Sequence, residues 1–532
     1  MGRRKEVIVN DNGRYVGKRL DDSTCLKLES LMRLSEENGY VEDLRNVIFD
    51  LSASDIELIK EMKTNDMVDL QKGKLTNLQT IGVAYMYFAK RLVLGDSVGL
   101  GKTVEVCGLC NLLEATMAKE GLDFRFLLLT EKTSAEQIRD KMIQFTGNYV
   151  DLVYGDKGSV QKFSDTYKED DPYSVVAPHS LMNSIPFQEY IRYYMNEKGY
   201  NPFDILIIDE AGSVLTNSNT QIYKNAKFLE GIFDRVIILN ATSFEKELAH
   251  FYNQINFIDD TLLPTKTEFS KQYEIMTYGR FPYPVPSGKY KNQEQFRHLV
   301  GYRYLKRTRR GAGAKMEDCS ADVLVSDLSP TQKKLLKMVS MPAMVYDCPS
   351  YFNSVGYNIE TNVDTTPKLK DLLSLIDGEL CDAKSILVYA RYKEAQKAIK
   401  EELESRGITC AVMNGDTSAQ DRSILINKFK LGDIRILITN VQKSLDFGDC
   451  NYCIFYDYDP NPSNMVQFEG RMTRSFDIIG KHVYLLISRG KELKTFKEIV
   501  ADRAQASDVF SGSDYSCVLS ILLENDKLKE LK

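Results

Sequence analysis

From about residue 71 onward, short apolar runs alternate with longer stretches whose apolar residues recur every three or four positions. Leu92-Val93-Leu94, Phe124 to Thr130, Ser174 to Ala177, Ile205 to Ile208 and Val236 to Ser243 are mainly apolar runs without regular polar alternation. That pattern predicts strands covered on both faces. Helical spacing over Leu75 to Met86 and Ser134 to Phe145 predicts the helices between them. The alternation returns at Thr366-Pro367, a helix start, and continues through strands at Ser385 to Tyr389, Arg435 to Asn440 and Tyr452 to Tyr456 and a strand and turn at Cys410 to Asp416. Helices are predicted over Glu394 to Arg406 and Asp421 to Phe429. Alternating strands and helices build parallel sheets, so the expected fold is α/β, with two parallel-sheet lobes in tandem. The expected boundaries are a small N-terminal accessory region at 1–70, a first lobe at 71–310, a helical protrusion and linker at 311–365, a second lobe at 366–505 and a C-terminal helix at 506–532. In the first of these, Val47 to Phe49 predicts a short strand, and Ser52-Ala53-Ser54-Asp55 before Ile56, Leu58 and Ile59 predicts a capped helix.

Charge narrows the picture. The 69 basic and 75 acidic side chains leave a net charge of −6, so any surface for nucleic acid must be local. Arg303, Lys306, Arg307, Arg309, Arg310 and Lys315 fall in one segment without an acidic residue, and the first five are the expected phosphate contacts. No apolar run approaches a membrane span, and Met1-Gly2-Arg3-Arg4-Lys5 is not followed by a signal-peptide core; a cytoplasmic protein is expected. Ten cysteines in 532 residues are not a disulfide framework. Cys107/Cys110 and Cys450/Cys453 are spaced like zinc ligands, but their positions on a helix and at a strand start favour core thiols. None of the four histidines forms a helical metal pair.

The chemistry begins at Gly95-Asp96-Ser97-Val98-Gly99-Leu100-Gly101-Lys102-Thr103, between an apolar run and a helical pattern. That is the setting of a phosphate-binding loop. Gly99 and Gly101 let the backbone close on a polyphosphate, Lys102 reaches the terminal phosphates, and Thr103 offers its hydroxyl to Mg²⁺. Further on, Ile205 to Ile208 deliver Asp209 and Glu210 to a strand end. Two adjacent carboxylates there need a partner; Mg²⁺ on Asp209, with Glu210 activating a water, supplies one. Gln79, in the helix before the loop, is placed to read an adenine edge. Asn240-Ala241-Thr242-Ser243 ends the next strand in small polar residues.

In order and spacing, Gln79, Asp96 to Thr103, Asp209-Glu210-Ala211-Gly212 and Asn240 to Ser243 resemble the first-lobe motifs of superfamily 2 helicases. The loop is similar to that of the Swi/Snf-type remodelling ATPases, with Asp96 where a general phosphate loop has its first glycine. Later, Gln442 to Phe447 resembles the segment whose aspartate, here Asp446, approaches the nucleotide ribose. Gln467-Phe468-Glu469-Gly470-Arg471-Met472-Thr473-Arg474 matches the arginine-finger motif, implying that Gln467 binds nucleotide and that Arg471 and Arg474 act on the γ-phosphate. Asp459-Pro460-Asn461-Pro462 stands where the remodelling branch has Trp-Asn-Pro, and Gly470 is a feature of general helicases. The resemblance implies two RecA-like lobes, ATP and Mg²⁺ as cofactors, and movement on duplex or branched DNA in replication, repair or recombination. A bacterial or viral source fits the absence of appended chromatin-reading domains. An RNA helicase and a nucleotide-gated clamp with little turnover are the alternatives. A protein partner could engage residues 1–70; oligomeric state is not indicated.

Overall fold

The computed structural model describes residues 20–36, 52–64, 74–168, 170–240, 248–278, 285–309, 311–339, 342–357, 366–441, 447–448, 450–460, 462–472 and 477–508. The chain divides into two compact units, Met1–Gly313 and Ala314–Lys532.

The first unit holds a seven-stranded, all-parallel sheet. Its strands are β1 (Arg91–Leu94), β2 (Phe126–Thr130), β3 (Val150–Leu152), β4 (Ser174–Pro178), β5 (Ile205–Asp209), β6 (Arg235–Leu239) and β9 (Tyr304–Leu305), in the order β3-β4-β2-β5-β6-β1-β9. β7 (Glu274–Thr277) and β8 (Val285–Tyr290) form a separate antiparallel pair. β1, β2, β4 and all of β5 but its last residue are buried, as their unbroken apolar runs require.

Four helices position the site. α1 (Asp22–Glu36) and α2 (Ala53–Thr64) precede α3 (Asn77–Ala89) and α4 (Lys102–Lys119). The predicted cap of α2 forms, with the Asp55 N–H donating to Ser52 Oγ at 3.1 Å. α3 starts in a capping box: Thr76 Oγ1 accepts the Gln79 N–H at 3.2 Å, and the Thr76 N–H donates to Gln79 Oε1 at 3.0 Å. The described part of residues 1–70 is not a separate accessory module. Leu28, Leu31 and Leu34 of α1 and Ile59 of α2 are fully buried in the same core as α3, α4 and β1, and Lys27 pairs with Asp55 at 2.8 Å. Those apolar stripes are used inside the lobe, so the surface suggested for a partner is partly spent. The predicted strand at Val47 to Phe49 lies outside the described residues.

The second unit holds a six-stranded parallel sheet of β11 (Ser320–Ser326), β12 (Ile386–Tyr389), β13 (Cys410–Met413), β14 (Ile436–Thr439), β15 (Tyr452–Phe455) and β17 (His482–Ser488), ordered β11-β17-β15-β12-β14-β13. β10 (Met316–Glu317) and β16 (Ile478–Ile479) add a short parallel pair. The segment 311–365 is therefore only partly helical. It carries the helices Pro330–Leu335, Pro342–Asp347 and Tyr351–Ser354, but its β11 is the edge strand of the second sheet, paired with β17 over seven residues. Beyond 508, the expected C-terminal helix lies outside the described residues. The predicted core thiols are in place: Cys107 and Cys110 are buried in the first core, Cys450 and Cys453 in the second.

Candidate nucleotide site

Ligands bind open α/β sheets at the carboxyl ends of the strands. In the first unit that edge brings three predicted motifs together, because β5, β6 and β1 are neighbours. The phosphate loop leaves β1, Asp209-Glu210 ends β5, and Asn240 follows β6 with its N–H on the Leu94 carbonyl at 3.1 Å. Gly99 and Gly101 have φ of 92° and 88°, the left-handed region that strains other residues. Gly101 caps α4, so the first-turn N–H groups of that helix open toward the loop. Lys102 Nζ folds back onto the carbonyls of Asp96 at 2.7 Å and Ser97 at 3.3 Å. Its ammonium thus sits in the loop's own cradle, as fits a lysine that a polyphosphate would draw outward. Burial lowers the Lys102 pKa, with Asp96, Glu210 and Asp209 pulling it back up.

Burial, reinforced by Glu210, pushes the Asp209 carboxyl up to about 7. Its Oδ2 accepts the Thr130 hydroxyl at 3.0 Å, and its carbonyl lies 2.7 Å from His179 Nε2. An acid held so far above its usual range is short of positive charge; Asp209 and Thr103 are the residues that would hold a divalent cation, whose charge would supply it. Glu210 has φ 49°, ψ 45°, a conformation that costs a residue with a side chain about 1–3 kcal/mol and clusters at functional sites. Thr130 and His179 escaped the sequence reading; Thr130 closes an apolar run of the predicted strand, and that position was the available signal.

Gln79 is beside the loop as expected. Its Nε2 donates to the Leu100 carbonyl at 3.3 Å while its Oε1 closes the capping box. Asn240 donates to Gln254 Oε1 at 3.0 Å, both being buried; Thr242 and Ser243 lie outside the described residues.

The basic segment needs correction. Arg303, Arg307 and Arg309 are 2%, 7% and 2% exposed and do not form a solvated stripe for nucleic-acid phosphates. Arg303 pairs with Asp259 at 3.0 Å and donates to the carbonyls of Ala89 and Arg91. Arg307 is enclosed by Asp96 and Glu105, themselves fully buried. The Arg309 guanidinium lies against Gly99, where a Cβ would come within 1.8 Å of Nη2. The cause is β9, whose edge pairing with β1 runs the next residues along the phosphate loop: Gly95 donates to Leu305 and Ser97 to Arg307, at 2.7 and 3.0 Å. Lys306 is close enough to help lower the Lys102 pKa. Arg310 lies outside the described residues.

In the second unit, Gln467 is buried on the helix Pro462–Glu469, and Arg471 follows it with its N–H on the Phe468 carbonyl at 3.1 Å. Arg471 Nε is buried with no hydrogen-bond partner among the described residues, an unmet donor of the kind that an anion satisfies. Asp446 and Arg474 lie outside the described residues.

The SNF2-related domain profile matches residues 78–367, and the helicase conserved C-terminal domain matches 367–475. The chain belongs to the SNF2-related family. It is 21% identical to the uncharacterized ATP-dependent helicase YqhH of Bacillus subtilis, over 75% of this chain and 72% of that protein. It is 22% identical to the SWI/SNF-related matrix-associated actin-dependent regulator of chromatin subfamily A-like protein 1 of Xenopus laevis, over 83% of this chain but 46% of the relative. The Sulfolobus solfataricus SWI2/SNF2 ATPase core in complex with dsDNA superposes with a TM-score of 0.39 at 16% identity, covering 87% of this chain and 97% of that one. The two parallel-sheet units are the tandem RecA-like lobes of this family, and the chain is an ATPase of its helicase and translocase class. Among the described residues no helix is long and apolar enough to cross a membrane.

Proposed function

We propose that this SNF2-related chain couples ATP hydrolysis to movement along duplex or branched DNA. The observation that carries the reading is the convergence of the phosphate loop, Asp209-Glu210 and Gln79 at one edge of the first sheet. In this reading Lys102 leaves the Asp96 and Ser97 carbonyls for the terminal phosphates, and the α4 N-terminus and the left-handed Gly99 and Gly101 hold the rest of the polyphosphate. Gln79 faces the adenine edge. Thr103 and Asp209 would hold Mg²⁺, whose charge would offset that of the phosphates and favour the ionised form of Asp209. Glu210 orients and deprotonates the attacking water. Arg471 and Arg474 bring positive charge to the γ-phosphate, where arginine fingers contribute about 10³ to 10⁵ in rate; the unmet Nε of Arg471 supports this role. Asp446 approaches the ribose and Gln467 the nucleotide. DNA is favoured over RNA because the SNF2-related match, which covers residues 78–367, is longer than the helicase C-terminal match at 367–475, and a relative aligned over 83% of the chain is a SWI/SNF-related regulator of chromatin by name.

The test is the steady-state ATPase rate of the full chain, alone and with single-stranded DNA, duplex DNA, forked DNA and duplex RNA. The reading expects stimulation by duplex or forked DNA that disappears in Glu210→Gln. Stimulation by duplex RNA alone would establish the RNA helicase, and nucleotide binding without turnover on any of them would establish the clamp.

A further inference from the structure

The buried Asp96, Arg307 and Glu105 side chains join three separate pieces of the nucleotide site. Resting on the reading above, we propose that Arg307 is a positioning residue that fixes the spacing between the phosphate loop and the helix that carries Gln79. Its Nε donates to Asp96 Oδ2 at 2.8 Å, at the start of the loop. Nη2 donates to Glu105 Oε1 and Oε2 at 2.8 and 2.7 Å, in the first turn of α4. Nη1 donates to the Leu78 carbonyl on α3, one residue before Gln79. The Arg307 backbone adds an N–H to Asp96 Oδ1 at 2.9 Å and a carbonyl that accepts from Ser97 at 3.0 Å.

One planar fork thus reaches the loop, the helix that follows it and the adenine-reading helix. A lysine at 307 keeps the charge but concentrates its donors on one atom, so it cannot hold all three. α3 is shaped for this group. A Cβ at Gly82 would lie 2.1 Å from Glu105 Oε2 and 2.7 Å from Arg307 Nη2, which gives a glycine in mid-helix a reason. On the open side, Gln79 meets the loop at Leu100. A bound nucleotide would span Gln79 and the loop, so a change in their spacing reads out as binding.

The test compares the full chain with Arg307→Lys and with a charge-free variant, Asp96→Asn/Glu105→Gln/Arg307→Met, which leaves no lone buried carboxylate. Hydrogen exchange of the nucleotide-free proteins is followed at 95–101 and at the first turn of α3. The Kd for a non-hydrolysable ATP analogue with Mg²⁺, and KM and kcat for ATP, are measured alongside. Expected are faster exchange in both segments with β2 and β4 unchanged, Kd and KM raised about tenfold in both variants, and kcat within about threefold of the parent. Unchanged exchange in a folded variant overturns the proposal. So does faster exchange with a parental Kd, since that is a purely structural role. A parent chain that binds no nucleotide overturns the functional reading instead, and exchange then decides the role of Arg307 alone.

Discussion

Gly82→Ala is a substitution for which helix propensity and this structure give opposite signs. Gly82 lies inside α3 and is buried, and alanine in a helix interior is favoured over glycine by about 1 kcal/mol. Propensity alone expects a more stable protein. The added methyl, however, would stand 2.1 Å from Glu105 Oε2, 2.7 Å from Arg307 Nη2 and 2.8 Å from Glu105 Cδ. Both side chains are confined, at 0% and 6% side-chain exposure, so neither can swing into solvent. Overpacking costs about 1–3 kcal/mol, and a Glu105 pushed off its guanidinium approaches the ~3–5 kcal/mol of a broken buried pair. Burial already pushes the Glu105 carboxyl up against the pull of Arg307, so the site has little room to lose a contact. The net expectation is a loss of about 2–4 kcal/mol in the first unit. Far-UV circular dichroism and calorimetry should show the first unit melting about 5–15 °C lower. In a Glu105→Ala background, where the space is open, the cost should shrink by at least about 1 kcal/mol. A Gly82→Ala protein as stable as the parent, or more so, would refute the packing argument.

Other outcomes follow from the same geometry. Glu210→Gln should lower kcat about 10²- to 10⁴-fold while the Kd for ATP changes little, because the group acts on the water and not on the ground state; a matched rise in Kd would place it in binding instead. Asp209→Asn tests the sign of a burial effect. A carboxyl raised to about 7 contributes stability that is fully present below its unfolded value near 4 and is lost progressively as pH rises through 7. The variant, without metal or nucleotide, should therefore be more stable than the parent at pH 8, by up to about 4 kcal/mol, with the gain shrinking toward pH 5; a gain that grows on acidification contradicts this. Leu31→Ala, at a fully buried position of α1, should destabilise the first unit by about 2–5 kcal/mol in urea, whereas an accessory α1 would leave its midpoint unmoved.

Much of the fold is legible in the chain because both sheets are parallel. Strands such as Ile205 to Ile208 and Ile436 to Ile438 must be apolar on both faces, and a continuous apolar run survives any error in register. β11 was harder: Ser-Ala-Asp-Val-Leu-Val-Ser mixes polar and apolar residues, as an edge strand does, and it lies in a segment that otherwise reads as helix and linker. β17 was a missed opportunity, since Val483 to Ile487 is a plain apolar run. In the site, loop motifs are readable because backbone geometry dictates their glycines; Gly99 and Gly101 are left-handed as the motif requires. The basic segment misled because charge along a chain does not say which side chains have distant carboxylates waiting. Arg303 finds Asp259, and Arg307 finds Asp96, 211 residues away. Asp96 itself, conspicuous for replacing a glycine, turns its carboxylate inward to Arg307.

Displacement of a short third strand from a DNA triplex measures ATP-driven movement on duplex DNA without requiring the duplex to open. With the full chain, Mg²⁺ and ATP, a translocating protein should release the third strand at a rate that rises with ATP, and should release none with a non-hydrolysable analogue or with Lys102→Ala. ATP hydrolysis stimulated by the same triplex with the third strand left in place would contradict it.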